Sequence, residues 1–326
     1  MKILVTGGSG FIGTNLIDKL LSEGSEILNI DTAYPKVESM TAFWKKCDIL
    51  NYEQVREAFI SFRPEAVVHL AAQTDTDPSK TIADYKVNIE GSDNIINIIK
   101  EVGFVKRIVF TSTQFVNQSE HGPRHDQDYA PHTVYGESKI ISEQHLRESQ
   151  IDAIWTIIRP TNIWGPWHLR YPFEFWKILS DGKYFHPGHQ KVIRSYGYVG
   201  NVVDQIRAIL EKPKDLVHQK VYYVGDRPID LYDWVNGFNL RQTGKKVIVM
   251  PRFFVFSLAI LGNALRLVGI KFPITLSRYR SMTTSNPAYM EKTFQELGEP
   301  GYTLDQGIEE TVRWLRTTHP DLVKIK

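Results

Sequence analysis

The stretch Thr6-Gly7-Gly8-Ser9-Gly10-Phe11-Ile12-Gly13, directly behind the apolar run Ile3-Leu4-Val5, constrains this chain more than any other. It reads as a buried strand that turns sharply into a helix. Gly7 and Gly10 permit the tight turn and let backbone approach a pyrophosphate, while Gly13 lets the helix pack close to the sheet. The first amides of that helix, at Phe11, Ile12 and Gly13, face the ligand, so a diphosphate can sit on the positive end of the helix dipole. An amphipathic pattern follows (Leu16, Ile17, Leu20, Leu21), and then a second apolar run, Ile27 to Ile30, ends in Asp31. A carboxylate about 20 residues past the glycines suits both hydroxyls of an adenosine ribose and repels a 2′-phosphate. These residues point to NAD as cofactor.

From residue 1 to about 165, strand-like and helix-like stretches alternate, which predicts βαβ units around a doubly wound parallel sheet of the α/β class. Residues 32–46 read as irregular. Helices are expected over Asn51 to Phe62, Asp84 to Val102 and Tyr135 to about Ser149, and strands over Ala66 to Ala72, Arg107 to Phe110 and Trp155 to Arg159. Past Pro166 the alternation fails. A helix, Val202 to Leu210, and a strand, Val221 to Val224, suggest that 194–224 returns to the first domain. Residues 166–193 and 225–316 then form a smaller substrate-binding region, with a loosely held polar tail after Leu315 that includes 317–326.

Bulk properties narrow the function. With 42% hydrophobic and 23% charged residues the chain is globular. A formal charge of +2 and no basic block give nucleic acid no electrostatic support. Cys47 is the only cysteine, so no intrachain disulfide forms, and because Met1 leads straight into the first strand no signal peptide is expected. The expected compartment is the cytoplasm. The uninterrupted apolar core of the stretch 253–269, about ten residues, is too short to span a bilayer, which takes about 20 residues. A buried helix, or one covering the substrate pocket, is expected there, with peripheral membrane contact as the alternative.

The chemistry is carried by Tyr135 and Lys139, four residues apart and so on one helix face. A free tyrosine with a pKa of about 10 is a poor base at neutral pH. A neighbouring ammonium and the charge of an oxidised nicotinamide favour the phenolate. Lys139 can also hold the nicotinamide ribose. Thr113 lies in the hydroxyl cluster Thr111-Ser112-Thr113, at the carboxyl end of a strand, where doubly wound sheets place ligands. It can donate to the substrate oxygen that Tyr135 protonates or deprotonates. The small end Ala71-Ala72 of another strand lets backbone pass close to the cofactor.

These motifs, with Asp48-Ile49, His69-Leu70-Ala71-Ala72, Asn88 and Arg159-Pro160-Thr161-Asn162-Ile163-Trp164-Gly165-Pro166, resemble the extended short-chain dehydrogenase/reductases. More narrowly, they are similar to the NAD-dependent nucleotide-sugar epimerases and dehydratases. The resemblance implies that Asp48 and Ile49 meet the adenine, that Leu70, Ala71, Ala72 and Pro160 line the cofactor, and that Asn88 is structural or near the cofactor. It places Gln73, Gln114, Asn162 and Arg194 at the sugar nucleotide, Arg194 on its diphosphate. It also implies a homodimer built by the helix carrying Asn88 and the helix starting at Tyr135. Related 4,6-dehydratases carry Asp-Glu after the catalytic threonine, but this chain has Gln114-Phe115, which cannot transfer protons.

What remains is hydride chemistry at a carbinol carbon, often C4. The expected function is epimerisation of a nucleotide-activated sugar. A 4-ketosugar reductase using NAD(P)H is the alternative, and a hydroxysteroid-type dehydrogenase or a non-catalytic NAD-binding sensor stand behind it. His186-Pro187-Gly188-His189 is read as a turn with two solvated imidazoles, with no metal. His121, His125 and Asp126 are read as a mobile solvated loop. Of the aromatics Trp164, Trp167, Tyr171, Phe173, Phe175 and Trp176, most are expected to serve packing.

Overall fold

A computed structural model describes residues 1–118, 122–168, 175–270 and 272–322. In chain order the elements are β1 (Lys2–Thr6), α1 (Phe11–Ser22), β2 (Glu26–Asp31), β3 (Trp44–Lys46), α2 (Tyr52–Phe62), β4 (Ala66–His69), α3 (Lys86–Val102), β5 (Arg107–Thr111), α4 (Val134–Glu148), β6 (Ile154–Pro160) and β7 (Asn162–Trp164). They continue with α5 (Lys177–Ser180), β8 (Phe185–Pro187), β9 (Ile193–Arg194), β10 (Tyr196–Tyr198), α6 (Val199–Glu211), α7 (Lys214–Val217), β11 (Lys220–Val224), β12 (Ile229–Asp230) and α8 (Leu231–Thr243). The last are β13 (Ile248–Met250), α9 (Arg252–Leu267), α10 (Leu276–Thr283), α11 (Glu291–Leu297) and α12 (Leu304–Thr318).

Two compact units result: residues 1–167, 197–226 and 288–301 form the first, and 168–196, 227–287 and 302–326 the second. In the first, seven parallel strands run in the order β11-β6-β5-β4-β1-β2-β3. The order reverses beside β1, where a doubly wound sheet opens a crevice at the carboxyl ends of its strands. Alternation along β1 divides its side chains between two faces. Leu4 joins Ile30, Val67, Ile108 and Ile157 against α2 and α3, whose Phe59, Ile95 and Ile99 complete that core. On the other face α1 packs against α6. The stretch read as irregular contains β3, paired in parallel with β2 from Asn29↔Trp44 to Asp31↔Lys46.

The second unit is built around aromatics: Phe175 stacks on Trp234, and Trp176 lies 4.1 Å, centroid to centroid, from Phe238. Short pairings tie it together, β12 with β9 and β13 with β8, and α8 packs on α12. Three expectations need correcting here. His186 is not solvated but buried in β8, where burial lowers its pKa, and only His189 of that motif is exposed. The chain after Leu315 is not loose as far as 322, because α12 runs to Thr318 and Leu322 is buried. The apolar stretch 253–269 does form a helix, but not a buried one: of α9 only Val255, Ala259 and Gly262 are buried, while Phe253 is 75% exposed. His121, Tyr171, Phe173 and residues 323–326 lie outside the described residues.

Candidate active site

The nucleotide turn is built by backbone contacts. Gly7 has φ 71°, and a Cβ there would come within 2.6 Å of the Ala71 nitrogen, so the end of β4 presses directly on the turn. The Thr6 hydroxyl accepts from the Ala71 amide at 3.1 Å. A Cβ on Gly13 would meet the Gly8 Cα at 2.5 Å, which places the first turn of α1 against the loop. Gly10 is the N-cap of α1 and provides no side-chain cap, leaving the helix end to a ligand's oxygens. Asp31 closes the turn from β2, accepting from the Ser9 amide at 3.0 Å and the Ala33 amide at 2.9 Å.

Tyr135 and Lys139 lie one turn apart on α4 and are both buried. The helix is started by Thr133, whose hydroxyl accepts from the Gly136 amide at 3.1 Å. A Cβ on Gly136 would lie 2.5 Å from the Phe115 carbonyl oxygen, so α4 can back onto the short turn 114–116 only because that residue is glycine. The turn follows Thr113, its N-cap, and its Phe115 ring meets the Tyr135 ring edge-on at 6.2 Å. One glycine thus brings the Tyr135 ring beside the turn that begins at Thr113. Phe115 and buried Gln114 fill the turn where a dehydratase needs carboxylates.

Lys139 is the most unusual group. Its Nζ is buried with no hydrogen-bond partner, 5.4 Å from the centroid of the Phe110 ring. Burial lowers its pKa to about 8, partly opposed by the Glu143 carboxylate. The hydroxyls of Thr111 and Ser112 are likewise buried and unpartnered. Three orphaned polar atoms at the carboxyl end of β5 and on α4 are what a polar ligand would satisfy, and the donor set suits ribose hydroxyls and a carboxamide. His69 is not such a group. Its ring nitrogens lie 2.8 Å from the Thr6 hydroxyl and 3.0 Å from the Ser92 hydroxyl, and burial pushes its pKa down to about 3, so it stays neutral.

The other expected site residues divide between structural and partly open positions. Asn88, expected to be structural or near the cofactor, spends its amide on the fold: Oδ1 accepts from the Gln73 amide at 2.8 Å, and Nδ2 donates to the Gln73 carbonyl and the Ser138 hydroxyl. It holds the loop after β4 to α4 and is a positioning residue. Ile49 puts its side chain into the core, which leaves only its backbone for an adenine, while Asp48 is exposed. Leu70, Ala72 and Pro160 are partly exposed beside the sheet's carboxyl edge, and Gln73 and Asn162 are partly exposed as well. Arg194 belongs to the second unit, on β9, and donates to the Ser281 carbonyl.

The residues missed by sequence reasoning are Glu143 and Arg159. They form a buried bidentate pair, Nε–Oε1 2.9 Å and Nη2–Oε2 2.7 Å, that fixes α4 to β6. Arg159 also donates to the Asp126 carbonyl at 2.6 Å, and Lys292 pairs with the Asp126 carboxylate at 3.6 Å. Segment 122–130 is therefore pinned at Asp126, correcting the expectation of a mobile loop. The available signal was spacing: Glu143 lies four residues beyond Lys139 on the same face of α4.

A parallel sheet with a glycine turn at its first crossover and a buried Tyr/Lys pair defines a dinucleotide-dependent oxidoreductase of the short-chain type. Among the described residues no group of three metal-binding side chains occurs. Residues 3–225 match the NAD dependent epimerase/dehydratase family, and the chain belongs to it. It is an enzyme of that NAD-dependent family, and the turn, Asp31 and the orphaned atoms around Lys139 fit the cofactor.

The chain is similar to N-acetyl-alpha-D-glucosaminyl-diphospho-ditrans,octacis-undecaprenol 4-epimerase of Escherichia coli O157:H7, 27% identical over 96% of this chain and 95% of that protein. It is similar to a 3-beta-hydroxysteroid dehydrogenase of Mycolicibacterium neoaurum, 26% identical over 72% of this chain and 68% of that protein. Among solved structures, UDP-glucose 4-epimerase of Thermotoga maritima with UDP-glucose aligns with a TM-score of 0.75 at 26% identity, covering 98% of this chain and 99% of that one.

Proposed function

We propose that this protein interconverts two epimers of a nucleotide-activated sugar by transient oxidation of a ring hydroxyl, at C4. The observation that carries the reading is the buried, unpartnered Lys139 one helical turn from Tyr135. When bound, NAD would supply reversible hydride transfer at the carbinol carbon. The chain's own residues do the rest. The Tyr135 phenolate, favoured by the Lys139 ammonium, takes the hydroxyl proton of the substrate and returns it after the ring ketone has turned over. Thr113 donates a hydrogen bond to the same oxygen, and Lys139 holds the nicotinamide ribose. The first unit binds the cofactor through Gly7, Gly10, Phe11, Ile12, Gly13, Asp31, the Asp48–Ile49 backbone and the residues at the end of β4. Gln73, Gln114 and Asn162 of the first unit meet the sugar.

The Escherichia coli and Thermotoga maritima relatives are named for 4-epimerisation of a sugar on a diphosphate, carried by a polyprenol in one and by uridine in the other. A polyprenyl carrier is the second reading, favoured by the near full-length match to the first of these. A homodimer through α3 and α4 is proposed, since Ile89, Ile140 and Ile141 of those helices stay partly exposed. Cys47, a buried free thiol, suits the reducing cytoplasm as compartment.

The experiment incubates purified protein with UDP-hexoses, UDP-N-acetylhexosamines and polyprenyl-diphosphate N-acetylglucosamine, with and without added NADH. Interconversion of stereoisomers with no net NADH consumption is expected, and Tyr135→Phe should lower it by about a hundredfold or more. Stoichiometric NADH oxidation on a 4-keto sugar would make the enzyme a reductase instead.

A further inference from the structure

The helix α9 is apolar on two distinct faces. Val255, Ala259 and Gly262 are buried and share one face. Phe253, Phe256, Ile260 and Leu267 recur at spacings of three, four and seven and share a second face, about a third of a turn round from the first. Every one of these four is exposed, with Phe253 at 75% and Leu267 at 89%, and Val268 just beyond the helix is 71% exposed. A helix apolar all round is ordinarily buried on all sides, and a contiguous apolar surface of this kind marks an interaction site.

The charge around it is one-sided. Between residues 234 and 290 the chain has eight Lys or Arg residues and no Asp or Glu. The whole chain has 39 of the first kind and 37 of the second, so the remainder holds 31 cations against 37 carboxylates. The cations are dispersed through the segment, so no basic block stands out along the sequence. Arg266 on α9 and Arg278 and Arg280 on α10, which packs against α9, are all exposed. No helix of the described residues is long and apolar enough to cross a membrane.

We propose that the outer face of α9, with the arginines of α10, docks this enzyme on the surface of an anionic phospholipid bilayer. Aromatic and aliphatic side chains backed by arginines are the composition of an interfacial helix, which buries its apolar face at the headgroup boundary while cations attract anionic lipid. A second copy of the chain fits less well. A two-fold interface sets the patch against itself, bringing its arginines together with no carboxylate in the segment to neutralise them. The docking uses neither Tyr135 nor the cofactor, so it holds or fails apart from the epimerase reading.

The test mixes the full chain with vesicles of phosphatidylglycerol and phosphatidylethanolamine, or of phosphatidylcholine alone, and measures the sedimenting fraction at low salt and at high salt. Binding to the anionic vesicles is expected, with little on phosphatidylcholine and a loss at high salt. Substituting Phe253→Glu with Ile260→Glu should cut the bound fraction about tenfold or more. Both side chains are exposed, and unchanged circular dichroism together with retained NAD binding verifies the fold. A second measurement places a polarity-sensitive fluorophore at Leu261→Cys, which is selective because Cys47 is buried and its thiol pKa is raised to about 11. Its emission should shift to the blue on anionic vesicles only. No binding by the parent chain, binding undiminished in the double variant, or a concentration-dependent dimer that the variant breaks without any vesicle binding would each overturn the proposal.

Discussion

Lys139 concentrates the conflict between folding and catalysis in one side chain. In the dinucleotide-free protein its ammonium is buried without a hydrogen-bond partner, and burial holds its pKa at about 8 against an ordinary 10.5. Between those values the unfolded chain carries a proton that the folded one lacks, so this group's contribution to stability rises with pH across that window. Below pH 8 the burial cost is constant and on the order of 3 kcal/mol. Lys139→Met removes it. We therefore expect the dinucleotide-free variant to be more stable than the parent at neutral pH by about 1–3 kcal/mol, with a flatter profile from pH 8 to 10.5, and to be catalytically dead. Thermal melts of both proteins across that range, after stripping the cofactor, check it. A variant less stable than the parent at pH 7 would mean that Lys139 is a structural cation.

At the scale of elements, the sequence made most of the sheet legible because strands such as β1 and β4 hold continuous apolar runs, Ile3-Leu4-Val5 and Ala66-Val67-Val68, whereas β3, Trp44-Lys45-Lys46, has no such run and read as irregular. It made the Tyr135/Lys139 face legible because helical spacing is local. What it could not show is long-range. Arg159 and Glu143 pair across β6 and α4, and the need for glycine at 136 comes from a carbonyl 21 residues away at Phe115. The exposure of α9 was also beyond reach, since an apolar periodicity says that a helix face exists and not what covers it. The Arg159–Glu143 pair carries its own prediction. Glu143→Ala strands a buried guanidinium, and we expect a loss of about 3–5 kcal/mol in chemical denaturation. Glu143→Gln, keeping one acceptor, should lose less. Both should lower turnover beyond the stability effect, because the pair anchors the helix that carries the catalytic side chains.

For the whole molecule, the division into two compact units makes the cofactor's effect on stability separable. The nucleotide turn, Asp31, the hydroxyls of Thr111 and Ser112, and Lys139 all fall in the first unit, while the exposed apolar helix falls in the second. Ligand binding stabilises what it binds by about 2.7 kcal/mol at a hundredfold excess over Kd. Unfolding enthalpy scales with residue number, and the first unit holds roughly twice as many residues as the second, so its calorimetric transition is the larger. NAD should therefore raise the larger transition by about 5–10 °C and leave the smaller one in place. The phosphorylated dinucleotide should do much less, because Asp31 faces its 2′-phosphate. Anionic vesicles should act in the opposite sense, perturbing the smaller transition and sparing the larger. Scanning calorimetry with each addition separates the two, and a larger transition indifferent to NAD concentration would remove the basis for placing the cofactor on the first unit.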